Sequence, residues 1–148
     1  MKLTLFALLL AATGCAELDL SAYNQRTPET ARLREHAARV WADVGIEAPA
    51  DYQVGLVSAD ELAVLCQGDG HGGCTYYDER AILIDAEQPA WIIERAIVHE
   101  VGHLLRGHHG HLKCGKDDTG QSDAMCPRTG PRTPELPTLR DVEFVTGR

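Results

Sequence analysis

Basic residues are in short supply in this chain: 14 Lys and Arg stand against 22 Asp and Glu, a formal charge of −8 over 148 residues. A surface of that sign repels phosphate backbones and anionic headgroups, which excludes nucleic-acid binding and membrane attachment through a basic patch. No internal repeat and no coiled-coil heptad is present, so solenoid and fibrous architectures are excluded as well. Beyond residue 12 there is no second apolar run long enough to span a bilayer. Five cysteines occur without a single CxxC pair, the spacing on which thiolate zinc sites are commonly built.

What is present begins with an exported N-terminus. Met1 to Ala12 carries one Lys and then a short run rich in Leu, Ala and Phe, shaped like the apolar part of a secretory signal. It runs into Ala12-Thr13-Gly14-Cys15, which resembles the lipobox of bacterial lipoproteins, with Ala12 where Leu is more usual. The resemblance implies cleavage before Cys15, lipid on Cys15, and anchoring to a bacterial membrane, the outer one in a Gram-negative cell. An ordinary signal peptide with a nearby cysteine is the alternative. Residues 1–14 are thus expected to be the signal, 15–26 a polar lipidated tether, and 27–148 one domain with a modest core. Membrane contact would rest on the lipid alone.

Export makes the other cysteines informative. Cys66, Cys74, Cys114 and Cys126 form an even set suited to two disulfides in an oxidising compartment. Three pairings are possible, and nearness in sequence favours Cys66 with Cys74 and Cys114 with Cys126.

Along the domain, Thr27 caps a helix with Pro28 in its first turn; Leu33, Ala37, Val40, Trp41 and Val44 follow at helical spacing and Gly45 ends it. DYQVGLV, residues 51–57, alternates as a strand, and Ser58 to Glu61 starts a short helix through Leu65. Gln67 to Gly73 is a glycine-rich loop whose His71 reads as a solvated side chain. Thr75-Tyr76-Tyr77 and Ala81 to Ile84 form two strands joined by a turn at residues 78–80. The second of these is either an ordinary core strand or the rim of a cleft able to pair with an extended peptide. Thr138 to Asp141 is a capping-box-like start for a final helix carrying Val142, Phe144 and Val145.

The chemistry is concentrated in WIIERAIVHEVGHLLRGHH, residues 91–109, a helix apolar almost all round. Positions four apart share a helix face, so His99 and His103 would present two imidazoles side by side, with Glu100 on the flank. Composition alone produces HExxH somewhere in this chain with a probability of roughly 0.02, and a further His at His109 lowers that to about 0.001. Two imidazoles and a third nitrogen leave one tetrahedral position of a zinc ion open for water, which distinguishes a catalytic site from a closed structural one.

HEVGHLLRGHH is similar to the extended zinc motif of the metzincin metallopeptidases, HExxHxxGxxH, with His99, Glu100, His103 and His109 on matching positions and Gly102 also agreeing. Ser122 to Pro127, SDAMCP, looks like the Met-turn of matrixin-like and adamalysin-like members, in which Met125 would form an apolar floor under the ligands. The extra Tyr ligand of astacin-like members has no counterpart, because Pro127 occupies its position. The resemblance covers about Ala81 to Gly147. It implies a small α+β zincin with a twisted mixed sheet, a backing helix, an active-site helix and a C-terminal helix. It implies one catalytic Zn2+, Glu100 as general base for peptide hydrolysis, an extended peptide or protein substrate, and a monomer. Tyr76 and Tyr77 are candidate oxyanion donors that read more simply as packing residues.

One position departs from the pattern. Where the family has the glycine that bends the chain towards the third histidine, this chain has Arg106, with Gly107 one place later. Either Arg106 adopts a left-handed conformation at a cost of roughly 1 kcal/mol, or the turn shifts by one residue and brings His108 or His111 into contention with His109. A distant carboxylate, Glu135 or Glu143, is a further way to complete the site. Two other classes of function stay open: a non-catalytic zinc-binding surface lipoprotein, and a disulfide-stapled envelope interaction module whose HExxH is accidental.

Overall fold

A computed structural model describes residues 20–67, 72–108, 110–112, 123–126 and 136–148. The signal, Cys15, His71, His109, Cys114 and Glu135 lie outside the described residues. No helix among those described is long and apolar enough to cross a membrane.

The described residues build a small α+β domain from four helices and a three-stranded mixed sheet. A short 3-10 turn, Leu20–Tyr23, leads into α1, Pro28–Ala42. The expected start of α1 is met in detail: Thr27 Oγ1 accepts from the Thr30 N–H, and Pro28 occupies the first turn, where a missing N–H costs nothing. Then come β1 (Gln53–Val57), α2 (Ala59–Leu65), β2 (Gly73–Tyr76), β3 (Ala81–Asp85), α3 (Ala90–Arg106) and α4 (Leu139–Thr146). Ser58 with Glu61 caps α2, and Thr138 with Asp141 caps α4, each as a reciprocal pair of side-chain-to-backbone bonds.

Strand order is β1-β3-β2, with β1 parallel and β2 antiparallel to β3. The Ala81 run is therefore the middle strand, buried on both faces, and the rim reading for it is corrected: both its edges are already paired. Alternation divides its side chains between two cores. Ile82 and Ile84 join Leu33, Trp41, Ile97, Val101 and Met125 on the side of α1 and α3, and Ala81 and Leu83 join Leu20, Val57 and Leu62 on the side of α2. α1 packs along α3, where the Trp41 indole donates to the Val98 carbonyl at 3.0 Å.

The two outer edges are treated differently. On β1, the Gln25 carboxamide donates to the Leu56 carbonyl at 2.9 Å and accepts from the Leu56 N–H at 3.2 Å, the two bonds a pairing strand would make there. On β2, no described residue pairs with the outer edge. That strand is anchored instead at its ends, by the Cys66–Cys74 disulfide that the sequence favoured and by the Tyr76 hydroxyl on the Leu65 carbonyl.

Candidate metal centre

The second half of α3, from Ala96 to His103, is buried almost without interruption. Gly102 is the position that permits this. A β-carbon there would lie 2.2 Å from the Met125 sulfur and 3.0 Å from the Trp41 ring, so only hydrogen fits between the helix and the two side chains that flank it. Met125 is completely buried and packs against this face of α3 at Gly102.

His99 and His103, one turn apart, bring their Nε2 atoms to 3.0 Å from each other. The His99 Nδ1–H donates to the Ala124 carbonyl at 2.7 Å, a bond that fixes the tautomer and turns the Nε2 lone pair towards His103. Burial holds the His99 pKa below the usual histidine value, partly offset by the bond to Ala124 and by the negative charge of Asp141. A neutral imidazole is the form that binds a cation, so burial extends the pH range in which His99 can act as a ligand.

Among the described residues, the third member of the cluster is His111. Nitrogens of His99, His103 and His111 all lie within 4.8 Å of one another, close enough to hold a metal ion. Zn–N bonds of about 2.0–2.1 Å imply nitrogens spaced by roughly 3.3 Å around a tetrahedral ion, so the helical pair already has near-ligating separation and the exposed His111 is the looser member. The donor set, three imidazoles with at least one tautomer pinned, fits zinc or a similar borderline ion.

The departure at Arg106 explains why His111 is in reach. Arg106 stays helical, and the turn shifts by one residue to Gly107, which takes the left-handed conformation (φ +78°) and donates its N–H to the His103 carbonyl. The Arg106 guanidinium lies over the Phe144 ring at 3.6 Å, donates to the Phe144 carbonyl, and donates through Nε to His108 at 2.7 Å. His108 is thereby directed to Arg106 on the exposed side and is not part of the three-histidine group. Five residues past Gly107, the Leu112 N–H donates to the Met125 carbonyl at 3.1 Å, which fastens the segment carrying His111 to the turn carrying Met125. Glu143 is exposed on α4.

The turn carrying Met125 is itself held by Asp141, a residue that the sequence marked only as part of a helix cap. Asp141 is completely buried, and its carboxylate accepts from the backbone of Ala124 (2.9 Å), Met125 (2.8 Å) and Thr138 (2.7 Å). Its place in the α4 capping box was legible; its reach back to residue 124 was not. The turn is further tied by Thr138 Oγ1 to Asp123 at 2.7 Å and by the Arg140–Asp123 ion pair at 2.7 Å. Cys126 is disulfide-bonded, with its partner outside the described residues.

Glu100 is buried beside this cluster and faces β2, where its Oε2 accepts from the Thr75 hydroxyl at 2.7 Å. Tyr77, just past the end of the same strand, has its phenol pushed up to about 12 by burial and by the Glu100 charge, so it stays protonated at neutral pH. Tyr76 points to the other face, onto Leu65. The groove between α1 and α3, lined by Arg32, Arg39, Trp91 and Arg95, contains neither Glu100 nor a histidine of the cluster.

Compared with known proteins, the chain matches no family profile, no curated protein and no solved structure. The functional reading therefore stands on the site itself and on the motifs that form it.

Proposed function

We propose that this protein is an exported, lipid-anchored, zinc-dependent endopeptidase of metzincin-like type. The observation that carries the proposal is the convergence of three imidazoles, from His99, His103 and His111, at the helix that also carries the buried Glu100 carboxylate and packs on the buried Met125 at Gly102. A structural zinc site has no use for an adjacent base, whereas water-mediated hydrolysis requires one.

His99, His103 and His111 would hold the ion. Zinc bound there would acidify a water molecule and polarise the scissile carbonyl. Glu100 would take the proton of the attacking water and deliver it to the departing amine. An extended peptide is the fitting substrate because, among the described residues, β2 is an edge strand with no partner strand on its outer side, while Gln25 covers the main-chain groups of Leu56 on β1. Cys15 would tether the domain through its lipid, with a spacer shorter than the 15–26 tether expected from the sequence, since Leu20 is buried in the core and Gln25 is bonded to β1.

Glu100→Gln is the direct test. The variant should bind one zinc per chain like the parent and lose hydrolysis of a peptide library by at least about a hundredfold. An active parent whose Gln variant cleaves equally well would remove Glu100 from the mechanism. A zinc-loaded parent that cleaves nothing would leave a non-catalytic metal-binding protein.

A further inference from the structure

The strand beside the cluster is shaped around one carboxylate. β2 runs antiparallel to β3, and its residues two apart share a face, so Gly73 and Thr75 both look towards α3 while Cys74 and Tyr76 look away. At Gly73 a β-carbon would stand 2.8 Å from the Ile84 Cδ1, 3.0 Å from the Leu83 carbonyl and 3.1 Å from the Glu100 Cγ, so β3 and the Glu100 stem together leave room only for glycine. At Thr75, buried to 3% exposure, the hydroxyl donates to Glu100 Oε2 at 2.7 Å. The strand thus withholds a side chain where the Glu100 stem passes and supplies a donor where its head arrives.

We propose that Thr75 is a positioning residue for Glu100: its hydroxyl fixes one carboxylate oxygen and so sets the direction of the carboxylate head beside the histidine cluster. This inference rests on the hydrolase reading above. Three properties of the site support it. A glutamate head at the end of a long stem has several rotamers to choose from, and a fixed donor selects among them. Threonine is stiff at χ1, so its hydroxyl direction is set by the backbone of the strand. That backbone is held independently of α3, by the disulfide at Cys74 and by the Tyr76 hydroxyl bond on its opposite face. The same hydroxyl also lies 3.1 Å from the Glu100 main-chain carbonyl, so a purely structural role, pinning helix to strand, is the rival to be separated.

The experiment uses the zinc-loaded full chain and a peptide that the parent is found to cleave. Zinc content, kcat and KM are measured for the parent, Thr75→Val, Thr75→Ser and Glu100→Gln. The inference predicts that Thr75→Val keeps one zinc per chain and a KM within about twofold of the parent, while kcat falls about ten- to a hundredfold. Thr75→Ser should recover most of that loss, which a packing defect would not do. Should the Val variant lose its fold, Thr75→Ala, with no branched methyl to misplace, takes its part in the same comparison. An active parent whose Thr75→Val variant keeps its kcat within about twofold, or whose Ser variant is no better than Val, overturns the inference alone. A zinc-loaded parent without activity overturns the hydrolase reading and this inference together.

Discussion

His99 and Glu100 are neighbours in the chain, yet opposite ends of the domain hold them. His99 is oriented from the C-terminal side, through the Ala124 carbonyl of a turn that Asp141 grips by its backbone. Glu100 is oriented from the N-terminal side, through Thr75 of an edge strand stapled to α2 by Cys66–Cys74. A helix sets the spacing of its own side chains but not the rotamers at their tips. Ligand and base therefore each need a partner from elsewhere, and the two partners can be broken separately.

The heaviest damage should come from the C-terminal grip. Asp141→Ala leaves the N–H groups of Ala124, Met125 and Thr138 without their shared acceptor in a buried place. Thermal or urea unfolding should show a loss of roughly 3 kcal/mol or more, with metal affinity reduced because His99 loses its orienting turn. An Asp141→Ala protein that unfolds with the parent would break the comparison. Next comes Gly102→Ala. The added methyl meets the Met125 sulfur and the Trp41 ring, and overpacking of this kind costs about 1–3 kcal/mol by the same measurement. The third effect is smaller and depends on pH. The metal-free protein binds fewer protons at His99 than its unfolded chain does, because burial lowers that pKa from the ordinary 6.5. The resulting stability is present above that value and is lost as pH falls below it, with a slope of at most about 1.4 kcal/mol per pH unit for this one group. A His99→Gln variant should flatten that limb of the stability curve.

These contacts also show what could be seen in the sequence. The helix starts were legible at Thr27, Ser58 and Thr138 because a cap is made within three or four residues. HExxH was legible because helical geometry alone places His99 beside His103. The shift at Arg106 was legible as a choice between two turns, and the structure takes the one at Gly107, whose absent side chain makes the left-handed conformation inexpensive. What stayed hidden spans longer separations: Asp141 to Ala124 at 17 residues, Thr75 to Glu100 at 25, and Gln25 to Leu56 at 31. Bonds of this kind depend on where the sheet and helices dock, which no local pattern encodes. For the same reason the Ala81 strand could not be told from an edge strand until its two partners were in place.

The whole account turns on whether His99, His103 and His111 hold one ion between them. Chelator-treated full-length protein titrated with zinc in a calorimeter measures that directly, beside His103→Ala, His111→Ala and Glu100→Gln. One saturable site per chain is predicted, weakened by more than about a hundredfold in each histidine variant and retained in Glu100→Gln. No stoichiometric zinc in the parent, or binding that His103→Ala and His111→Ala leave untouched, would contradict it.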